Sequence, residues 1–147
     1  MRTTTSATTG DQRGERGPTP VLFVVDDDLP TMHLLCEVAR ERGWQARGFT
    51  RLETLGRALD EQTPTLLVLD DELPDGRGGD LARELRHDGS TASIPLLICT
   101  AAHPRRQAQI GAWAPVIAKP FGLDEIEQVL DAAAGRPDGG NSLGAAG

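Results

Sequence analysis

The sequence predicts a one-domain α/β protein with a parallel sheet covered by helices on both faces. Three observations carry this. The apolar runs Val21–Val25, Thr65–Leu69 and Ile94–Cys99 are continuous rather than alternating, as in strands buried on both sides. Segments with helical spacing stand between them, so strand and helix alternate along the chain. The chain has 147 residues, with 38% hydrophobic and 25% charged, enough for one core and hardly two.

Residues 1–19 are polar and of low complexity, and are expected to be disordered, as is the Gly/Ala-rich stretch 136–147. The domain is thus placed at 20–135. After the first strand, Pro30 opens a helix running to about Arg42, with Leu34, Leu35, Val38 and Ala39 as its inner stripe and Gly43 as its stop. Trp44–Phe49 is less apolar and is expected at a sheet edge. Thr50 and Glu53 have capping-box spacing before a helix that packs through Leu52, Leu55 and Leu59 and ends at Pro64. After the third strand, Gly76, Gly78 and Gly79 suit a turn rather than a dinucleotide fingerprint. The next helix presents Leu81, Ala82 and Leu85, and Asp88-Gly89-Ser90 closes it as a loop. Pro104–Ala112 is a short, weakly patterned helix and Pro115–Ala118 a brief last strand. Ile126, Val129, Leu130 and Ala133 mark the final helix, with Asp124 and Glu125 at its positive end.

The charge pattern narrows the function. Fifteen basic against twenty-two acidic residues give a formal charge of -7, which opposes nucleic-acid binding through a broad basic face. No apolar run reaches the roughly 20 residues of a membrane span, and the N-terminal stretch has no apolar segment of a secretory leader. Cys36 and Cys99 lack metal-ligand spacing and read as packing residues of a reducing cytoplasm.

The strand ends carry the chemistry. The first ends in Asp26-Asp27-Asp28, the third in Asp70-Asp71-Glu72, the fourth in Thr100 and the fifth in Lys119. Parallel strands put these ends on one edge, where open α/β sheets bind ligands. Carboxylates so close call for a hard divalent cation, and magnesium takes oxygen ligands. Asp26 and Asp27 suit that role. Asp70 can bind the metal at rest and act as the nucleophile that accepts a phosphoryl group. Thr100 and Lys119 would hold the phosphoryl oxygens. Lys119 is the only lysine beside fourteen arginines, which singles out its compact ammonium. An acid cluster after a strand is often a helix N-cap or a solvated turn; Asp28 and Asp71 are read as capping or solvent residues. His33, His87 and His103 are scattered and suggest no Ser/His/Asp catalysis.

These motifs together resemble the receiver domain of two-component response regulators: Val24-Val25-Asp26-Asp27-Asp28, Leu69-Asp70 with Leu73-Pro74-Asp75 and Gly78, Ile94-Pro95 to Thr100-Ala101, and Lys119-Pro120-Phe121. The resemblance covers about Val21 to Ala134. It implies a flavodoxin-like fold with strand order 2-1-3-4-5, and phosphotransfer to Asp70 from a sensor histidine kinase or a histidine phosphotransfer protein. It implies Mg²⁺ held by Asp26, Asp27, Asp70 and the main-chain carbonyl of Glu72, with Thr100 as switch hydroxyl and Lys119 on the phosphate. Glu72 and Ala102 match positions that tune the lifetime of the phosphoryl group. The chain would be no enzyme beyond promoting its own phosphorylation and dephosphorylation at Asp70.

The sequence departs from the family in three places. Val116 replaces the aromatic three residues before the lysine, which normally couples the threonine to the output face. The segment between Thr100 and Lys119 is short by about three residues. Arg77 stands where Asp is common. Trp113 is read as a surface or packing residue rather than a substitute aromatic.

The expected function is a cytoplasmic, stand-alone receiver in a phosphorelay. Its output would pass through contact with an unidentified downstream protein, without direct nucleic-acid binding or membrane insertion; the reading admits a homodimer. The alternative is a degenerate receiver that binds a partner without phosphorylation, favoured by Val116 and the short fourth helix. An Asp-nucleophile phosphohydrolase is disfavoured because Glu72, not Asp, stands two residues after the nucleophile. A DNA-binding regulator has no domain here to do it.

Overall fold

A computed structural model describes residues 17–135. Most of the tail expected at 1–19, and all of that at 136–147, lie outside the described residues. Five strands form one parallel sheet: β1 (Val21–Val25), β2 (Gln45–Phe49), β3 (Leu66–Leu69), β4 (Leu96–Thr100) and β5 (Val116–Ala118). Their order is β2-β1-β3-β4-β5, the order that the resemblance implies. Every residue of β1, β3 and β4 is buried, so their unbroken apolar runs reflect cover on both faces. Each fully buried aliphatic side chain there contributes roughly 1.5–3 kcal/mol over its exposed state. The expected edge strand β2 is indeed at an edge, with no residue of it fully buried.

Helices α1 (Leu29–Glu41) and α5 (Leu123–Ala134) cover one face. Helices α2 (Leu52–Glu61), α3 (Gly78–His87) and α4 (Pro104–Ile110) cover the other. Asp28 caps α1, its carboxylate accepting from the Thr31 N–H at 3.1 Å, with Pro30 in the first turn. Gly43, at φ +89°, ends the chain's exit from α1 in the left-handed region that favours glycine.

Two local expectations are corrected. Leu34 is 42% exposed, and Met32 takes its place in the inner stripe of α1 with Leu35, Cys36, Val38 and Ala39. The helix begins one residue before Pro30, and the realised face runs through 32, 35, 36 and 39. Thr50 and Glu53 do not form a capping box; α2 has no cap from its own side chains. Its first N–H groups are met from another loop, where Asp75 accepts from Leu52 at 2.8 Å and Glu53 at 3.0 Å. Those two bonds satisfy the donors that a local Thr would otherwise meet.

The turn after β3 contains a short antiparallel hairpin, Glu72–Leu73 against Gly76–Arg77, which the sequence shows only as turn signals. Helix α4 has seven residues, matching the expected abbreviation. No helix among the described residues is long and apolar enough to cross a membrane.

Candidate phosphoryl-acceptor site

The pairing register sets the site. Val25 is level with Leu69, Leu69 with Ile98, and Thr100 with Ala118, so the residues after β1, β3 and β5 meet at one edge beside the end of β4. Asp26, Asp27 and Asp70 each bring a carboxylate oxygen within 4.8 Å of the other two. Asp26 and Asp70 are buried and Asp27 is exposed. The Lys119 ammonium bridges two of them, donating to Asp26 Oδ2 at 2.7 Å and Asp70 Oδ2 at 3.2 Å. The Lys119 N–H also donates to the Thr100 carbonyl at 2.9 Å, which fixes its loop to the end of β4.

Burial pushes the Asp26 carboxyl above its ordinary range, against the opposing hydrogen bonds from Lys119 and the Asp28 N–H. Burial pulls Lys119 down, but Asp26 and Asp70 outweigh it and leave the ammonium more firmly protonated than usual. Three carboxylates therefore lie together, and the Lys119 ammonium pairs with two of them, Asp26 and Asp70. A surplus of negative charge on hard oxygen donors, open to solvent at Asp27, fits a divalent cation such as Mg²⁺.

Thr100 is fully buried, and its Oγ1 accepts from the Ala102 N–H at 3.2 Å. The Glu72 N–H reaches Asp70 Oδ1 at 3.4 Å while its side chain is exposed. Gly78 closes the floor: a Cβ there would lie 1.9 Å from the Asp70 carbonyl oxygen, so only glycine admits this approach. Asp26, Asp27, Asp70 and Lys119 thus come together, with Thr100 and Glu72 beside them.

The reading of Asp71 is corrected in part. It does cap a helix, accepting from the Gly79 N–H at 3.0 Å, but no part of it faces solvent. Arg106 holds it bidentately through Nε and Nη2, both at 2.9 Å, and Arg77 adds a third contact at 3.2 Å. Burial alone would raise this carboxyl; the Arg106 and Gly79 donors overcome it and hold it below the usual range. The sequence gives one signal for this pair, a second acid directly after Asp70. Arg106 lies in a helix too short and weakly patterned for its direction to be read. Trp113 is a packing residue as expected: its Nε1 donates to the Gly79 carbonyl at 2.8 Å and Arg83 lies 5.1 Å from its ring centre. Val116 packs on the α2–α4 face.

Comparison with known proteins agrees with this fold. The family described as Response regulator receiver domain matches residues 22–131. The chain is 29% identical over 109 residues to the phosphate regulon transcriptional regulatory protein PhoB of Escherichia coli (strain K12), covering 71% of this chain and 47% of PhoB. It is 29% identical over 122 residues to the photosynthetic apparatus regulatory protein RegA of Rhodovulum sulfidophilum, covering 82% of this chain and 66% of RegA. The chain thus spans about half to two-thirds of the length of these relatives. Among solved structures, the signal receiver domain of a signal transduction histidine kinase from Syntrophus aciditrophicus has a TM-score of 0.75 at 20% identity, covering 85% of this chain and 97% of that one. The receiver domain of sensor histidine kinase PA1611 from Pseudomonas aeruginosa PAO1 has a TM-score of 0.71 at 19% identity, covering 81% of this chain and 100% of that one. That structure has a magnesium ion coordinated in its active-site cleft. With the family matched over nearly the whole sheet-and-helix unit, the chain belongs to the receiver domains of two-component response regulators.

Proposed function

We propose that residues 20–135 form a phosphorylation-dependent switch in a histidine-to-aspartate phosphorelay, with Asp70 as the acceptor. One observation carries this reading: the Asp70 carboxylate lies at the sheet edge with its Oδ2 on the only lysine of the chain, 3.2 Å from Nζ. Asp26, Asp27, Asp70 and the Glu72 carbonyl would hold Mg²⁺, which when bound supplies positive charge for the phosphoryl oxygens. An Asp70 oxygen forms the new bond to phosphorus as the bond from phosphorus to the donor histidine breaks, and that imidazole leaves with its electron pair. Lys119 then pairs with a phosphoryl oxygen instead of Asp70. The Thr100 hydroxyl already accepts from Ala102, so its own proton is free to donate to another phosphoryl oxygen. The phosphoryl donor is a sensor histidine kinase or a histidine phosphotransfer protein in the cytoplasm, and output passes through a downstream protein.

A degenerate receiver that binds without phosphorylation is the second reading, favoured by Val116 in place of an aromatic. Acetyl phosphate with Mg²⁺, followed by a phosphate-affinity gel, separates the two. The first reading expects a retarded band that is absent in Asp70→Asn and after chelation of the metal. A parent protein with no such band selects the second.

A further inference from the structure

We infer that Arg106 couples the phosphoryl site to α4, through the buried ion pair with Asp71; the inference rests on the phosphoacceptor reading of Asp70. Asp71 follows Asp70 directly in the chain, and its carboxylate is wholly enclosed. A buried carboxylate cannot part from its cation without leaving an uncompensated charge. Asp71 and Arg106 must therefore move together. The bidentate fork adds direction, since both oxygens are engaged at 2.9 Å. Arg106 also reaches Asp80 Oδ1 at 3.0 Å, so its guanidinium sits between the loop after β3 and the start of α3.

The surroundings favour transmission toward α4. On the α3 side the loop is closely packed. The Gly78 N–H donates to the Asp71 carbonyl at 2.9 Å, and the Asp70 carbonyl oxygen occupies the space that a Cβ at Gly78 would take. Ile110 of α4 fills the space beside Gly79, where a Cβ would meet it at 2.8 Å. The neighbouring α4 residue, Gln107, donates to the Ala102 carbonyl at 2.7 Å, two residues beyond Thr100. Arg106 and Gln107, consecutive in a seven-residue helix, thus hold the loop after β3 and the loop after β4. A phosphoryl group on Asp70 adds negative charge one residue from Asp71. The inferred route to α4 runs through the Asp71 side chain and its Arg106 partner, with no aromatic at 116 required.

The test measures acceptance and transmission separately. Hydrogen exchange at residues 104–110 is followed with Mg²⁺, with and without beryllofluoride, while the phosphate-affinity gel reads Asp70 itself. The parent is expected to show a band, and an exchange change at 104–110 of about fivefold. Arg106→Gln is expected to keep the band and lose the exchange change. Arg106→Lys, which offers one contact in place of the fork, is expected to lose about half of it. A full exchange response in Arg106→Gln overturns the inference; if that variant fails to fold, a full response in Arg106→Lys overturns it. A parent with a band and unaltered exchange at 104–110 overturns the coupling alone. A parent with no band overturns the acceptor reading and the coupling with it.

Discussion

Asp70 and Asp71 are adjacent in sequence, and the molecule treats them in opposite ways. Asp70 shares one ammonium with Asp26 and lies beside the Asp27 carboxylate, so negative charge is left over. Asp71 is more deeply buried, yet two guanidiniums and a backbone N–H meet its two oxygens. The first is set up to receive something positive, and the second is complete. Burial alone therefore does not mark a carboxylate that still lacks partners; the ratio of acceptors to fixed donors does. The same ratio predicts that removing charge has opposite effects at the two places.

The largest effect is expected at the complete pocket. Arg106→Ala leaves Asp71 enclosed without its main cation and should destabilise the domain by about 3 kcal/mol, read as a lower urea midpoint with an unchanged slope. A loss as small as that of an exposed pair would erase the contrast. Gly78→Ala should cost about 2 kcal/mol by overpacking, because the new methyl meets the rigid Asp70 carbonyl at 1.9 Å. Gly48→Ala is the control, since its Cβ meets only the Met32 side-chain end, at 2.5 Å from the sulfur; thermal melts of both should show the larger drop at Gly78.

At the incomplete site the sign reverses. Millimolar Mg²⁺ should raise stability by about 1 kcal/mol. Asp27→Ala should remove that gain while stabilising the metal-free protein by a few tenths, about the size of a surface charge effect. Melting with and without chelator checks both, and a destabilised metal-free Asp27→Ala would break the comparison.

The smallest effect is at Asp75. The Leu52 N–H, with that of Glu53, holds its carboxyl below the usual range. A lowered folded value means that its contribution is whole above the ordinary carboxylate range and is lost as pH falls through the lowered value. Asp75→Asn should flatten that part of the acid limb of a stability-against-pH curve, and an unaltered limb would show the cap to be idle.

The legible and illegible parts of the sequence divide along the range of the forces. The parallel sheet, its buried strands and the meeting of Asp26, Asp70 and Lys119 follow from apolar runs and from strand ends, which constrain whole segments, whereas the strand order is legible only through the family resemblance. The capping of α2 was misread because Thr50 and Glu53 have the right local spacing, while the real acceptor, Asp75, arrives from twenty-odd residues away. Leu34 falls one step outside the buried arc of α1, beyond Val38, whereas Met32 lies near the middle of that arc with Cys36 and Ala39, a distinction that apolar character alone does not make. The Asp71–Arg106 pair was invisible for a similar reason: 35 residues separate the partners, and no periodicity links them.

A chain with fourteen arginines and one lysine offers acylating reagents a single side-chain amine. That amine is Lys119 Nζ, clasped between Asp26 and Asp70. Its rate of labelling is thus a built-in gauge of what fills the cleft, readable by mass without a fluorophore or an introduced tag.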